Sequence, residues 1–423
     1  MKTILHKLTI GFWLTMAMPL ASQAGNVLIT GVSATASTVT FTISMQYSWN
    51  ITATAGSALN WDAVWCFVKY NDCASGIPNW QHLVLSSANV HTVTGGSGVL
   101  QADPVTDGMG VFIRRTNPGS NTSTPITGNV VLTFASALPS ANYQFKVFGI
   151  EMAACPANDF VVGDACSQNR FNSYTITATM ENTTGIPTAS ATLGGTGTLA
   201  GTLPVAYPVG YNAFYCMKYP MTTLELLDFL NVLSYDQQAA HLLAGAPNNA
   251  VGASVGNSTP LVTISASGNA ATVPKTPATF ASSTNLAYIV KSWNFKTYLA
   301  YLDWAGMRPM TEMEFEKACR GTLGSIPCEY AWGNNSGMGG GPSATSTRQT
   351  AGAAYYGMLD MSYNGCCDGN NSEETGIVNT TSQATAGGSA FTGALGNGAL
   401  TAAGLADAAN WPDATNASGG ARK

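Results

Sequence analysis

The 423-residue chain has a net charge of −5, and only 9 % of its residues are charged, against about a quarter in a typical soluble domain. It contains no basic stripe, which argues against a nucleic-acid partner. The length predicts two or three domains, and a weakly charged surface rich in small residues suits extracellular or assembly-forming proteins.

Residues 1–24 have the pattern of a secretory signal peptide. Lys2 and Lys7 precede the apolar residues 8–18, and Ala24 ends a small-residue cleavage site. The apolar stretch is shorter than the roughly 20 residues that a membrane helix needs, and no later stretch approaches that length. We therefore expect an exported protein, extracellular or at the cell surface, without a membrane span.

Nine cysteines in an exported chain predict disulfides. The closest neighbours in sequence are the candidate pairs, namely Cys66 with Cys73, Cys155 with Cys166, and Cys319 with Cys328. Cys216, Cys366 and Cys367 remain, so at least one thiol is left over if all others pair. Reduced, buried cysteines are the alternative, because spacing does not determine connectivity.

Residues 25–148 are predicted to form an all-β sandwich. Apolar and polar residues alternate over residues 39–49, the period of a strand with one buried face, and residues 63–70 form a continuous apolar run typical of a fully buried strand. Residues 130–134 and 143–148 add two more strands, with Gly, Asn, Pro and Ser clusters between them. Short strands separated by turn signals are typical of a sandwich.

No catalytic set is predicted in this first domain. His82 and His91 lack an acid and a nucleophile at a recognisable spacing. The tryptophans are expected in the core, with a carbohydrate-binding platform as the alternative; they are Trp49, Trp61, Trp65 and Trp80.

The densest motif of the chain lies in residues 304–321. Thr311 and Glu314 form a capping box that begins a helix, Pro309 ends the preceding element, and Gly321 stands where a left-handed cap would close the helix. The helix is expected to bury an apolar stripe and expose its charged residues. The stripe comprises Met313, Phe315 and Ala318, and the charged residues are Glu312, Glu316, Lys317 and Arg320.

This stretch resembles the core of the formylglycine-generating-enzyme (sulfatase-modifying-factor) family, which has a C-type-lectin-like α+β fold. The residues that carry the resemblance are Trp304, Gly306, Arg308, Pro309, Thr311, Glu312, Glu314, Arg320, Gly321, Tyr330, Trp332 and Gly333. Residues 152–163 resemble the element that opens the family's domain. The resemblance therefore implies an α+β domain over residues 149–423, with a polar insertion near residues 244–283.

A second part of the resemblance concerns calcium. Residues 355–364 resemble a family segment whose loop often binds calcium, and Asn364 and Asp368 are candidate oxygen ligands. An ordinary Asx-rich turn is the alternative. No other cofactor is predicted.

The resemblance does not carry over the family's chemistry. Formylglycine-generating members bind copper through a cysteine pair beyond an Arg-Gly-Gly-Ser-Trp element, and the sequence ends at Lys423, about where that element would begin. Cys366 and Cys367 lie too early to replace the pair without a different geometry. We therefore expect no catalytic residues.

Two function classes follow. The favoured one is an exported, non-catalytic binding or structural protein, possibly a subunit of an extracellular or cell-surface assembly, whose partner is an unknown extracellular ligand or copies of itself. The alternative is a formylglycine-generating-type, copper-dependent oxidase of cysteine or thiol substrates.

Overall fold

The computed structural model describes residues 27–51, 60–73, 76–96, 99–121, 124–139, 143–163, 172–187, 202–205, 207–241, 261–282, 286, 290 and 295–321. Over these residues the protein is rich in β-strands, which form several antiparallel sheets. The predicted leader lies outside them.

The strands and helices are numbered in chain order. The strands of the described residues are β1 (Leu28–Ala34), β2 (Thr38–Met45), β3 (Trp49–Ile51), β4 (Asn60–Asp72), β5 (Trp80–His82), β6 (Thr92–Gly95), β7 (Leu100–Pro104), β8 (Val111–Arg115), β9 (Gly119–Ser120), β10 (Ile126–Thr133), β11 (Tyr143–Cys155), β12 (Phe160–Val162), β13 (Tyr174–Ile176), β14 (Ile186–Pro187), β15 (Thr202–Leu203), β16 (Phe214–Met217), β17 (Val262–Ala266) and β18 (Thr279–Ser282). The α-helices are α1 (Thr223–Leu230), α2 (Tyr235–His241), α3 (Phe295–Trp304) and α4 (Glu312–Arg320), and a short π-helix covers Met180–Thr184.

The two largest sheets of the described residues are formed by β1 to β11 together with β16. The smaller has the order β1-β2-β10-β6, and the larger has the path β16-β11-β4-β3-β9, with β5, β7 and β8 attached beside it. Apolar side chains of β2 and β10 pack against those of β4 and β8 in one core. The smaller sheet therefore covers one face of the larger sheet.

The predicted alternation of residues 39–49 is confirmed as far as Met45. In β2, Val39, Phe41, Ile43 and Met45 are all buried while the residues between them are partly exposed. The chain then leaves this sheet, because Tyr47 adopts a φ of 52° in a turn. Trp49 begins β3 in the larger sheet, so the pattern covers two strands and not one.

The predicted fully buried strand is β4, and its two faces belong to two cores. Val64, Cys66 and Val68 face the smaller sheet. Trp65 and Phe67 face the helices on the opposite side. Because both faces are covered, the sequence of this strand is continuously apolar instead of alternating.

The predicted domain boundary at Gly149 falls inside β11. This strand pairs with β4 without interruption from Tyr143 to Ala153. A Cβ at Gly149 would lie 2.9 Å from side-chain atoms of Ile29 and Val64, so the position needs a glycine for close packing. The two predicted units therefore share a sheet, and the sequence change at Gly149 does not mark a break in the chain's packing.

The insertion predicted as a polar loop contains a β-hairpin. β17 and β18 pair over the described part of residues 244–283, and Val262 and Phe280 are buried. Side-chain amides satisfy the backbone of β18: Asn231 exchanges two hydrogen bonds with Phe280, and Gln238 does the same with Ala278. The loop prediction was wrong here because these partners lie on a distant helix pair.

Aromatic rings join the larger sheet to the helices. The Trp304 ring of α3 contacts the Phe67 ring of β4 edge-on at a centroid distance of 5.0 Å and the Phe229 ring of α1 at 5.5 Å. The indole N–H of Trp65 donates to the carbonyl of Ala305 at 2.7 Å, and both residues are buried. One core therefore contains residues that are far apart in sequence.

Trp65→Phe should destabilise the protein by about 1–3 kcal/mol, because it leaves the buried Ala305 carbonyl without its donor. Urea unfolding followed by circular dichroism measures the loss. Trp80→Phe, on neighbouring β5 and only half-buried, is the matched control and should cost less. Equal losses in the two variants would contradict the assigned role of the hydrogen bond.

Candidate functional site

A cleft of ≈ 640 Å³ lies between the β16 edge of the larger sheet and the segment that follows α3. The sheet, the loop before β8, and α3 with its following turn each contribute part of the lining. The lining residues are Trp65, Val105, Asp107, Met109, Phe112, Met152, Phe214, Tyr215, Cys216, Met217, Tyr298, Leu302, Asp303, Gly306, Met307, Arg308, Met310 and Glu314. Five of them are methionines, whose flexible thioethers adapt to irregular apolar ligands.

The turn after α3 brings the family-like motif to this cleft. Gly306 has a φ of 69°, a conformation that favours glycine. A Cβ at this position would lie 3.2 Å from the Cβ of Met109 on the opposite wall. Gly306 therefore allows both the sharp turn and the close approach of the two walls.

An ion pair joins the cleft to α4. Arg308 donates from both terminal nitrogens to the Glu314 carboxylate, with Nη1 lying 2.7 Å from Oε2. Glu314 is buried and Arg308 is half exposed. The hydrogen bond to Glu314 raises the pKa of Arg308.

The predicted capping box of α4 is confirmed. The backbone N–H of Glu314 donates to the Thr311 hydroxyl at 3.2 Å, and the Glu314 carboxylate accepts from the N–H of Thr311 at 2.9 Å. The Thr311 hydroxyl donates onward to the Pro208 carbonyl. Glu314 thus caps the helix and holds Arg308 at the cleft.

The face of α4 that packs against the protein differs from the predicted one. Phe315 is 57 % exposed, while Glu314 and Lys317 are buried beside Met313. Lys317 donates to the carbonyls of Gly210 and Tyr211 at 2.6 and 3.0 Å, and burial lowers its pKa to about 8. The predicted stripe was wrong at Phe315 because the buried face of α4 is the one that carries Met313, Glu314 and Lys317, and Phe315 lies outside it.

The remaining motif residues fall into three groups. Pro309 and Glu312 are exposed, and Trp304 packs in the aromatic core. Arg320 ends α4. Gly321 follows with a φ of 71° and a ψ of −146°, so it has the positive φ that glycine allows but not the left-handed helical conformation that was predicted for the cap. The rest of the motif and the candidate calcium ligands lie outside the described residues, namely Tyr330, Trp332, Gly333, Asn364 and Asp368.

The predicted pair Cys66–Cys73 does not form. Both are free thiols; Cys66 lies in the middle of β4 and Cys73 just after its end. Seven residues of extended chain place their Cα atoms roughly 20 Å apart, whereas a disulfide spans at most about 7 Å. Cys166 and Cys328 lie outside the described residues, so their pairings remain predictions.

The structure brings Cys155 beside Cys216 instead. Their thiols form a hydrogen bond between β11 and β16, and Cys216 lines the cleft. The spacing of the cysteines in the sequence does not predict this pair, because Cys155 and Cys216 lie on strands that a long segment separates. The same is true of Asp107 and Asp303, which come to the cleft from the loop before β8 and from the end of α3.

The two histidines of the first half have structural partners. His82 lies between Lys69, whose Nζ is 3.0 Å from Nδ1, and the Met109 carbonyl, 2.7 Å from Nε2. Burial and the Lys69 charge lower the pKa of His82 to about 4. At neutral pH the ring is therefore uncharged, and it supports the cleft wall at Met109.

A second cavity of ≈ 270 Å³ lies beside β11 and α1, and carboxyl groups line it. Burial raises the pKa of Glu151 and Glu225 to about 7 and that of Asp228 to about 6. Glu225 also accepts a hydrogen bond from the Thr222 N–H in the capping box of α1. These carboxyls therefore titrate near neutral pH.

The described part of the chain contains neither a metal-binding cluster nor a membrane-spanning helix. There, no group of three or more His, Cys, Asp or Glu side chains is arranged to hold a metal ion. No described helix is long and apolar enough to cross a membrane.

Arg308→Ala should cost roughly 1–3 kcal/mol of stability, because the charged hydrogen bonds to buried Glu314 are lost. The midpoint of urea unfolding measures this. The matched control is Lys275→Ala, which removes an ion pair with Asp236 whose two side chains are exposed, and little change is expected there. A loss as small as the control's would show that the Arg308 pair is not structural.

Glu225→Gln should flatten the pH dependence of stability. The folded-state pKa of Glu225 lies near 7, above its unfolded value, so its contribution is complete below about pH 4.5 and is lost as pH rises through 7. Glutamine keeps the cap acceptor and cannot ionise. Urea unfolding from pH 4.5 to 8 should give a variant-minus-wild-type difference that grows with pH, and a constant difference would contradict the shift.

Comparisons with protein-family models, with curated proteins and with solved structures find no match.

Proposed function

We propose that the protein is exported and acts as a non-catalytic binding or assembly module, in which a β-sandwich continues into a formylglycine-generating-enzyme-like domain. Its cleft binds an extended peptide segment that carries a basic residue between apolar ones. The observation that carries this proposal is the cleft itself, with its apolar walls and its acidic mouth.

The size and walls of the cleft support a small ligand. Binding sites of this kind typically measure about 300–1,000 Å³, and the cleft measures ≈ 640 Å³. Aromatic rings supply fixed apolar surface, since Tyr215 stacks on Phe112 at a centroid distance of 3.8 Å. The methionines supply the adaptable part of the surface.

The charges at the cleft support a cationic group on that ligand. Arg308 and Glu314 neutralise one another through their ion pair. Asp107 and Asp303 are exposed at the cleft. The two carboxylates leave the mouth of the cleft negative, which favours a basic side chain.

The motif residues contact one another, and this supports the family resemblance. The contacts are observed whether or not the resemblance holds. Gly306, Arg308, Thr311 and Glu314 act together in one structure: a turn, an ion pair and a helix cap that form one wall of the cleft. Such a wall uses residue types that suit its parts: a glycine for the positive φ, an arginine–carboxylate pair, and a threonine with a glutamate for the cap. It requires no catalytic group, since a fold can be used for binding alone.

The peptide Phe-Lys-Phe, blocked at both ends, should quench or shift the tryptophan fluorescence of the protein, and Phe-Glu-Phe should bind more weakly. The double variant Asp107→Asn with Asp303→Asn should weaken Phe-Lys-Phe binding roughly 3- to 10-fold, because two exposed attractions are lost. Asp236→Asn, away from the cleft, is the control and should not change the affinity.

Equal binding of the two peptides, or an unchanged affinity in the double variant, would contradict the cleft proposal. Electron microscopy of the exported protein tests the assembly part separately, with filaments or sheets as the supporting result. Aldehyde formation on a cysteine peptide by the copper-loaded protein would instead favour the oxidase alternative, whose candidate thiols Cys366 and Cys367 lie outside the described residues.

A further inference from the structure

Cys155 and Cys216 lie on one face of two paired strands. β11 and β16 are antiparallel, with Ala153 opposite Cys216 and Cys155 opposite Phe214. Opposite residues share a face, and so do residues two positions apart on a strand. The two cysteines are therefore diagonal neighbours, and their thiols are in hydrogen-bonding contact.

The strand that carries Cys216 has room to adjust. The Cα atoms of a diagonal pair lie about 7–8 Å apart, just beyond the roughly 7 Å that a disulfide spans, so the bond requires a movement of one strand. β16 has four residues and is the edge strand of its sheet. A small displacement of such a strand is enough to bring the two sulfurs into bonding distance.

The two thiols differ in access and in acidity. Cys216 lines the cleft and Cys155 does not. The hydrogen bond between them raises the pKa of Cys155 and lowers that of Cys216, and burial adds to the rise at Cys155. Since the thiolate is the nucleophile, Cys216 is the thiol that reacts first.

We propose that Cys155 and Cys216 form a reversible cross-strand disulfide by exchange with an external disulfide that reaches Cys216 through the cleft. The Cys216 thiolate attacks one sulfur of the external disulfide, which breaks that bond, forms a mixed disulfide and releases one thiolate. The Cys155 thiol then loses its proton and attacks the sulfur of Cys216, which releases the second thiolate. The two protein thiols lose two electrons and two protons, and the external disulfide gains them as two thiols.

The bond would have a structural consequence. β16 lies in the segment that leads to α1, and it pairs with β11 at the edge of the larger sheet. A covalent link between them restricts a long loop of the unfolded chain, which stabilises the folded state. The oxidised protein should melt on the order of 10 °C higher than the reduced protein.

Peptide mapping of the full chain, equilibrated with oxidised glutathione and alkylated without reduction, should recover a Cys155–Cys216 linkage. Cys155→Ser should accumulate glutathione on Cys216, because the resolving thiol is missing. Cys216→Ser should form an adduct on Cys155 roughly ten-fold more slowly, because Cys155 does not line the cleft and its pKa is raised. Cys73→Ser is the control, since this thiol hydrogen-bonds with Asn71 at the end of β4, and should leave the linkage intact.

Three results would overturn the proposal. The first is recovery of Cys155 linked to Cys166, and the second is recovery of both thiols alkylated after equilibration with oxidised glutathione. The third is adduct formation at Cys155 that is as fast as at Cys216. The mapping of the wild-type protein decides the matter even if a serine variant fails to fold.

Discussion

Two side chains of β4 satisfy the carbonyl groups at the end of α3, and the C-terminal half of the described structure depends on this junction. The Trp65 indole donates to Ala305, and the Lys69 ammonium donates to Trp304 at 2.6 Å. The last carbonyls of a helix have no partners within it, and a cation is favourable there because the helix dipole is negative. Burial lowers the pKa of Lys69 to about 8, partly opposed by Asp303, so the ammonium remains mostly charged at neutral pH.

The same junction determines where the cleft forms. α3 ends against β4, and the chain then turns at Gly306. This turn places Arg308 where the Glu314 carboxylate accepts hydrogen bonds from both of its terminal nitrogens. Glu314 is in turn fixed by the start of α4 through the Thr311 cap. Glu314 therefore belongs to both the cap of α4 and the wall of the cleft. A substitution that disturbs the cap also shifts Arg308 at the cleft, and the reverse holds.

Local patterns allowed much of this to be predicted from the sequence. Alternation predicted β2, a continuous apolar run predicted β4, and a Thr-x-x-Glu spacing predicted the start of α4. Each of these signals depends on residues within a few positions of one another. The family resemblance added Arg308 to the motif residues, but neither it nor the local patterns predicted that Arg308 and Glu314 form an ion pair at the wall of a cleft.

Features that depend on distant partners were not predictable in this way. The hairpin of β17 and β18 looked like a loop because side chains distant in sequence complete its hydrogen bonds: the amides of Asn231 and Gln238 accept from the backbone N–H groups of Phe280 and Ala278. Lys317 looked like a solvent-facing residue because its partners are carbonyls of the segment before β16. A capping signal extends over one helical turn, whereas these contacts are fixed only by the assembled fold.

The edge strand β16 connects the cleft with the thiol pair. It has one neighbour in the sheet, β11, and side chains anchor it further: Tyr215 accepts from the Trp61 indole at 2.8 Å, and Cys216 contacts Cys155. The position of this strand therefore sets both the width of the cleft and the distance between the two thiols. A ligand in the cleft and a disulfide at its wall can favour different positions of β16. In that case, ligand binding changes the free energy of disulfide formation, and the disulfide changes the free energy of ligand binding by the same amount, because coupling between two equilibria is reciprocal.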